Sequence, residues 1–97
     1  MNIYKVEQNW NNGYDAYSNF ICIAESEQAA RETYPSEYVT HGRDGKWYGT
    51  NSKGVEYEGD FSDWVSFSDI ERLTVTLIGA ASINQKKGVV CASYRPG

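Results

Sequence analysis

The sequence predicts an α+β fold, an antiparallel sheet of about four strands with one short helix packed on one face. Apolar and polar residues alternate at the start of the chain, which is typical of a half-buried strand. Two apolar, β-branched runs lie close together near its end, at residues 73–80 and 89–94. A helix-forming stretch precedes the middle of the chain. The predicted order is strand, strand, helix, a hairpin or loop insert, strand, strand.

The first two predicted strands cover residues 3–8 and 17–24. In the first, tyrosine and valine alternate with lysine and glutamate, so that one face is apolar and the other is charged. The portion 20–24 of the second strand is apolar on both faces. A strand of that kind is covered on both sides, which predicts a central position in the sheet.

A short helix is predicted directly after the second strand. Glu25 or Ser26 can cap its first turn. Pro35 marks its end, because the residue before a proline disfavours α geometry. The stripe expected to pack on the sheet consists of Ala29, Ala30 and Tyr34.

The middle of the chain, residues 38–60, is expected to be a hairpin elaboration within a single α+β domain that covers residues 1–97. Two four-residue turns that end in glycine, at 42–45 and 51–54, separate short segments rich in aromatic and β-branched residues. We expect a hairpin around residues 51–54 in preference to an irregular loop. A third strand near Tyr38 is less favoured than this hairpin.

The two C-terminal runs are joined by a link, residues 85–88, that is long enough for a hairpin. Before them, Phe61, Trp64 and Phe67 recur at a spacing of three and could form a loop plug under the sheet. Ser68 is expected to cap one helical turn after this plug.

Composition excludes several classes of protein. The net charge is −4, which argues against binding to nucleic acid or to an anionic membrane, since both require a basic surface. The aromatic share of 14% favours a binding surface. Cys22 and Cys91 lie in apolar runs, which predicts buried free thiols in a reducing cytosol; one cross-strand disulfide is the alternative. The first residues show no secretion signal.

Several motifs resemble those of small proteins encoded by phages and prophages. They are YKVEQ (4–8), GYDAYS (13–18), AESEQAAR (24–31), DWVSFSDI (63–70), VTLIGAA (75–81) and GVVCASY (88–94), with Gly97 after the last. The resemblance covers about two-thirds of the chain but not the middle segment. It implies an accessory protein of the bacterial host cytoplasm, and small acidic phage proteins often bind host proteins, including defence components. It assigns no catalytic residue.

No catalytic or metal-binding pattern emerges from the residues. His41 is the single histidine and adjoins a predicted turn, so a surface histidine is the preferred interpretation over an acid–base catalyst. One histidine and two separated cysteines do not form a zinc motif. We therefore expect no enzyme activity, no cofactor and no bound metal.

The candidate partner-binding site is an aromatic and acidic group in and beside the middle segment. Its members are Trp47, Tyr48, Tyr57, Glu56, Glu58, Asp60 and Asp63. Aromatic anchors bordered by charge are typical of protein interfaces. Two alternatives stay open: the rings could close a second small core with Phe61 and Trp64, and the acidic residues could form a solvated face.

The favoured function is that of a non-catalytic accessory protein that binds, and inhibits or modulates, a host protein. The alternative is a protein that sequesters a small ligand or nucleotide, for which the nearby cations would be Arg43, Lys46 and Lys53. A small enzyme and a virion component are less favoured. A homodimer could form through an exposed sheet edge, since edge strands carry unpaired backbone groups.

Overall fold

A computed structural model of the chain describes residues 1–8, 16–36, 38–58, 63–82 and 84–95. It contains two antiparallel sheets, one α-helix and one 3₁₀ helix, which confirms the α+β class. In chain order the elements are β1 (Asn2–Glu7), β2 (Ala16–Ala24), α1 (Glu27–Arg31), β3 (His41–Arg43), β4 (Lys46–Thr50), β5 (Glu56–Glu58), the 3₁₀ helix (Phe67–Arg72), β6 (Thr74–Ala80) and β7 (Gly88–Arg95).

The larger sheet has four strands in the order β6-β1-β2-β7. The central position of β2 is confirmed. The predicted hairpin between the last two strands is wrong, because β6 and β7 lie at opposite edges. The link begins beside β1, where the Ala81 N–H donates to the carbonyl of Met1 at 3.0 Å. Three strand spacings are about 14 Å, a distance that a link of this length covers easily.

One face of this sheet is buried, and α1 packs on it. Phe20 and Cys22 of β2 and Val6 of β1 are fully buried there. Ser26 caps α1 as predicted, since its hydroxyl accepts the Ala29 N–H at 3.1 Å. Ala30 is fully buried, and α1 is only five residues long, so tertiary packing stabilises it.

Arg31, in the last turn of α1, fixes the chain at the entry to β6. Its guanidinium donates to the carbonyls of Ile70, at 3.1 Å, and Leu73, at 2.5 Å. Ile70 belongs to the 3₁₀ helix, which begins at Phe67 after Ser66, and Leu73 directly follows the helix. The predicted Ser68 cap is wrong: Ser66 flanks the helix and makes no side-chain capping bond.

The smaller sheet has three strands in the order β3-β4-β5. The hairpin around residues 51–54 is confirmed, and the Asn51 side chain holds it by accepting the N–H of Lys53 at 2.9 Å and of Val55 at 3.0 Å. The other turn is tighter than predicted. It consists of Asp44 and Gly45, both with positive φ, as in the two-residue hairpin loops that match strand twist.

One hydrophobic cluster of described residues draws on both sheets. Trp47 of β4 makes edge contacts with Tyr34, at a centroid distance of 5.1 Å, and with Phe67, at 5.0 Å. Trp64 packs on Phe20 at 5.2 Å. Trp64 therefore lies in the core and the partly buried Phe67 packs against it, in agreement with the plug prediction, whereas Phe61 lies outside the described residues.

Both cysteines are free, but only Cys22 is buried. Cys91 pairs with Ile21, the neighbour of Cys22, so the two thiols project to opposite faces of the sheet and cannot join. The predicted burial of Cys91 is wrong, because β7 is an edge strand with that face uncovered. In the described part of the chain, no helix has the length and apolar character needed to cross a membrane.

Candidate functional site

Strand alternation gives the three-stranded sheet two different faces. The inner face carries Trp47 and two glycines, Gly42 and Gly49, that leave room for rings. A side chain at Gly42 would overlap the Phe67 ring, and one at Gly49 would overlap Tyr57. We call the opposite side the outer face; by the strand register it consists of His41, Arg43, Lys46, Tyr48, Thr50, Glu56 and Glu58.

Glu56 is the centre of the outer face. Arg43 donates to both of its carboxylate oxygens, and His41 Nε2 lies 2.8 Å from Oε2. The Arg43 hydrogen bond is the main reason that the pKa of Glu56 is lowered from its ordinary value. A two-pronged arginine–carboxylate contact of this kind fixes geometry as well as charge.

Tyr48 forms the platform under this group. The His41 ring stacks on it at a centroid distance of 5.6 Å, and the Arg43 guanidinium lies 4.6 Å from the ring centroid. Arg43 is therefore held by a carboxylate and by a cation–π contact together. On the same face, Lys46 Nζ lies 3.2 Å from Glu58 Oε1.

These contacts change the interpretation of the two glutamates. Glu56 is paired with Arg43, and Glu58 is paired with Lys46. The outer face therefore carries as many permanent positive as negative charges, and the two glutamates do not form an unpaired acidic patch. A basic partner protein could pair with the two glutamates only by displacing Arg43 and Lys46 from them.

A short hydrogen-bonded chain runs from Thr40 through His41 to Glu56. The Thr40 hydroxyl lies 2.8 Å from His41 Nδ1. Because the Glu56 carboxylate can only accept, Nε2 carries a proton, and Nδ1 of a neutral His41 accepts from Thr40. Such a chain of hydrogen bonds can relay a proton toward Glu56, but the Glu56 carboxylate is already paired with Arg43. In the described residues, no group of three or more histidine, cysteine or acidic side chains could hold a metal ion.

Three exposed side chains lie in and around β5, and we call them the β5 rim: Tyr38, Val55 and Tyr57. The strand register places Tyr57 opposite Gly49, on the inner face of the sheet. Tyr38 is 73% exposed and Val55 is 57% exposed. The Tyr57 ring covers the backbone at Gly49, and its hydroxyl donates to the Tyr38 carbonyl at 3.4 Å. Among the described strands β5 has one neighbour, β4, so its other edge is open.

The predicted site residues are only partly brought together. Tyr48, Glu56 and Glu58 share the outer face, and Tyr57 lies in the β5 rim. Trp47 is only 4% exposed and its indole N–H donates to the Val65 carbonyl at 2.9 Å, so its assignment as a surface anchor is wrong. The alternation with Tyr48 already contained this signal, because neighbouring strand residues project to opposite faces.

Asp63 lies apart from the outer face and from the β5 rim. Asp63 is half-buried and accepts a hydrogen bond from the Tyr34 hydroxyl. Its backbone carbonyl accepts the Tyr17 N–H at 2.9 Å, so the residue links two parts of the core. Burial, followed by this contact with Asp63, raises the pKa of Tyr34. Asp60 lies outside the described residues.

A groove of about 500 Å³ lies between α1, the end of β2 and the start of β7. Sequence reasoning missed it, because four separate segments of the chain contribute to it. Its apolar lining includes Ala24, Ala29, Tyr34, Val39 and Val89, and its charged residues are Glu25, Glu32 and Lys87. These charges sum to −1, so the groove suits a neutral or cationic ligand better than an anionic one.

No protein-family model matches the chain, and neither a curated protein nor a solved structure matches it.

Proposed function

We propose that this is a non-catalytic accessory protein of phage or prophage origin that binds a host protein through the β5 rim and thereby inhibits or modulates it. The observation that carries the proposal is the exposure of Tyr38, Val55 and Tyr57 around an open strand edge. The resemblance of the sequence motifs to small phage and prophage proteins supports the origin and the bacterial cytoplasm as its place of action.

The β5 rim offers two kinds of contact to an extended segment of a partner. The open edge of β5 provides unpaired backbone groups for strand addition. The tyrosine rings provide large, rigid contact area close to that edge. The outer face would orient the partner through its ordered charges rather than through a net negative potential.

Variants of the β5 rim test this proposal. Wild-type protein is used to capture a partner from a bacterial lysate, and the partner is then purified and titrated by calorimetry. The variant Tyr38→Ser/Val55→Ser removes apolar contact area without altering the core, and the expected loss of affinity is about tenfold or more.

The matched control is Val90→Ser, since Val90 is 59% exposed and thus as accessible as Val55, but lies on β7 of the other sheet. It should bind like the wild type. Equal affinity of the rim variant and the wild type would show that the partner binds elsewhere and would refute the proposal.

The groove beside α1 favours a second candidate, a protein that binds and sequesters a small ligand. The acidic balance of the groove disfavours a nucleotide, because phosphate groups need cations. On the outer face of the smaller sheet, Arg43 and Lys46 are already paired with Glu56 and Glu58. A ligand with an apolar body and an amine fits it better. A thermal-shift screen should find stabilisation by such amines that disappears in Glu25→Gln/Glu32→Gln. Stabilisation that persists in this variant would show that the amine does not bind in the groove.

A further inference from the structure

Strand β5 has little backbone pairing to hold it in place. It is three residues long, and its neighbour among the described strands is β4. At the start of this pairing the Asn51 N–H donates to the Val55 carbonyl at 3.0 Å. Hydrogen-bonded pairs alternate along an antiparallel ladder, so Gly49 and Tyr57 form the next one. A pairing this short needs further contacts to be stable.

The same alternation decides which backbone groups of β5 a partner strand would meet. Because the backbone of Tyr57 bonds inward to β4, the N–H and C=O groups of Glu56 and Glu58 point to the open edge. A strand added at this edge would pair with those two residues. The backbone that a partner would use therefore belongs to the two glutamates of the outer face.

The side chains of these two glutamates are tied to the strands behind them. Glu56 accepts hydrogen bonds from Arg43 of β3 through both carboxylate oxygens. Glu58 Oε1 lies 3.2 Å from Lys46 Nζ of β4. A lone exposed ion pair stabilises little, but the Arg43 guanidinium also lies over the Tyr48 ring, which restrains it in front of the carboxylate.

We propose that Arg43 is a positioning residue for partner binding: its contact with Glu56 holds the β5 edge in the geometry that an added strand needs. The inference rests on the proposed function, since it concerns the same edge. A strand that is already held in place loses little conformational freedom when the partner binds. Without the contact, β5 is ordered for only part of the time, and the apparent affinity falls with the ordered fraction.

A disulfide that replaces this contact tests the proposal. Thr50 and Glu56 are opposed in a non-hydrogen-bonded pair, for which the Cα atoms are about 4.5 Å apart and within disulfide range. Thr50→Cys/Glu56→Cys is made in a Cys91→Ser background, while Cys22 is fully buried and stays in place. The reduced protein lacks the Arg43 contact and should bind the captured partner about three- to tenfold more weakly than its Cys91→Ser parent. The oxidised protein should bind within about twofold of that parent.

Two results of this titration would overturn the proposal. Equal affinity of the reduced protein and the parent would show that the contact is not needed for binding. Oxidised protein that binds as weakly as the reduced protein would show that the charged groups contact the partner directly and do not act by positioning β5.

Hydrogen exchange of the free protein is a second measurement, and it needs no partner. In Arg43→Met the Tyr57 amide should exchange at least about threefold faster than in the wild type, with the amides of β1 and β2 unchanged. The matched control is Lys53→Met, which removes an equal charge from the turn between β4 and β5, where Lys53 is exposed. Unchanged exchange in Arg43→Met, or equal acceleration in Lys53→Met, would overturn the proposal.

The rim variant Tyr38→Ser/Val55→Ser separates this inference from the proposed function. If the rim variant loses affinity while Arg43→Met and the reduced cysteine variant bind like their parents, the partner binds at the β5 rim and the positioning role is wrong. If the rim variant binds like the wild type, the proposed function itself is wrong and the inference falls with it.

Discussion

Gly42 and Trp47 show how single residues join the two sheets. Trp47 inserts between Tyr34 and Phe67, and Phe67 in turn lies against the bare backbone of Gly42. Any larger residue at position 42 would meet that ring. The glycine is therefore required by close packing inside a strand, and not by a turn as the sequence first suggests.

Replacing Gly42 with alanine should destabilise the fold by about 1–3 kcal/mol, as is usual when a methyl group is forced into a packed core. The cost should fall sharply in a Phe67→Ala background, because the clashing ring is then gone. Urea unfolding followed by circular dichroism of the two single variants and the double variant measures this coupling. Additive losses would contradict the packing described here.

The two cysteine thiols differ in their exposure to solvent. Cys91 is exposed and should react with maleimide in the native protein at once, whereas Cys22 should react only after unfolding. Burial also raises the pKa of Cys22 to about 11, so little thiolate forms at neutral pH. Mass spectrometry of the labelled protein counts the adducts. Two adducts on the native protein would contradict the burial of Cys22.

At the scale of elements, the three-stranded sheet is stabilised by its turns and by the outer face together. Asp44 and Gly45 set the first hairpin, and the Asn51 side chain sets the second. Across the strands, Arg43 and His41 of β3 reach over β4 to Glu56 of β5. This single carboxylate therefore connects the two edge strands of the sheet.

The Glu56 contact makes the smaller sheet sensitive to acid. Because the folded-state pKa of Glu56 is lowered, the contact contributes stability above the ordinary pKa of 4.5 and loses it as the pH falls through the lowered value. Glu56→Gln should therefore be less stable than the wild type at pH 7, and the difference should shrink below pH 4.5. Chemical denaturation at a series of pH values measures it. A constant difference at every pH would contradict the charge contact.

Local signals explain which elements could be predicted from the sequence. Alternation and β-branched runs identify the four long strands, Ser26 identifies the start of α1, and the hairpin at 51–54 follows from its turn residues. Strand order could not be predicted, because the separation of β6 and β7 depends on which edges of the β1–β2 pair are free. The contact of His41 with Glu56, fifteen positions apart in the chain, follows from register across three strands.

At the scale of the whole molecule, the exposed apolar side chains fall into separate places. The β5 rim lies on the smaller sheet, whereas the β6 edge lies on the larger one. The groove beside α1 is bordered by the opposite edge of the larger sheet, at β7. The proposed partner-binding surface is therefore separate from the β6 edge and from the groove.

We propose that a partner protein binds at the β5 rim. Hydrogen–deuterium exchange of the chain with and without its captured partner, at equal chain concentration, locates the contact. Binding at the β5 rim should slow exchange at residues 55–58 and at Tyr38 in the complex, with no change in β7. Protection confined to the groove or to β6, with residues 55–58 exchanging as in the free protein, would contradict it.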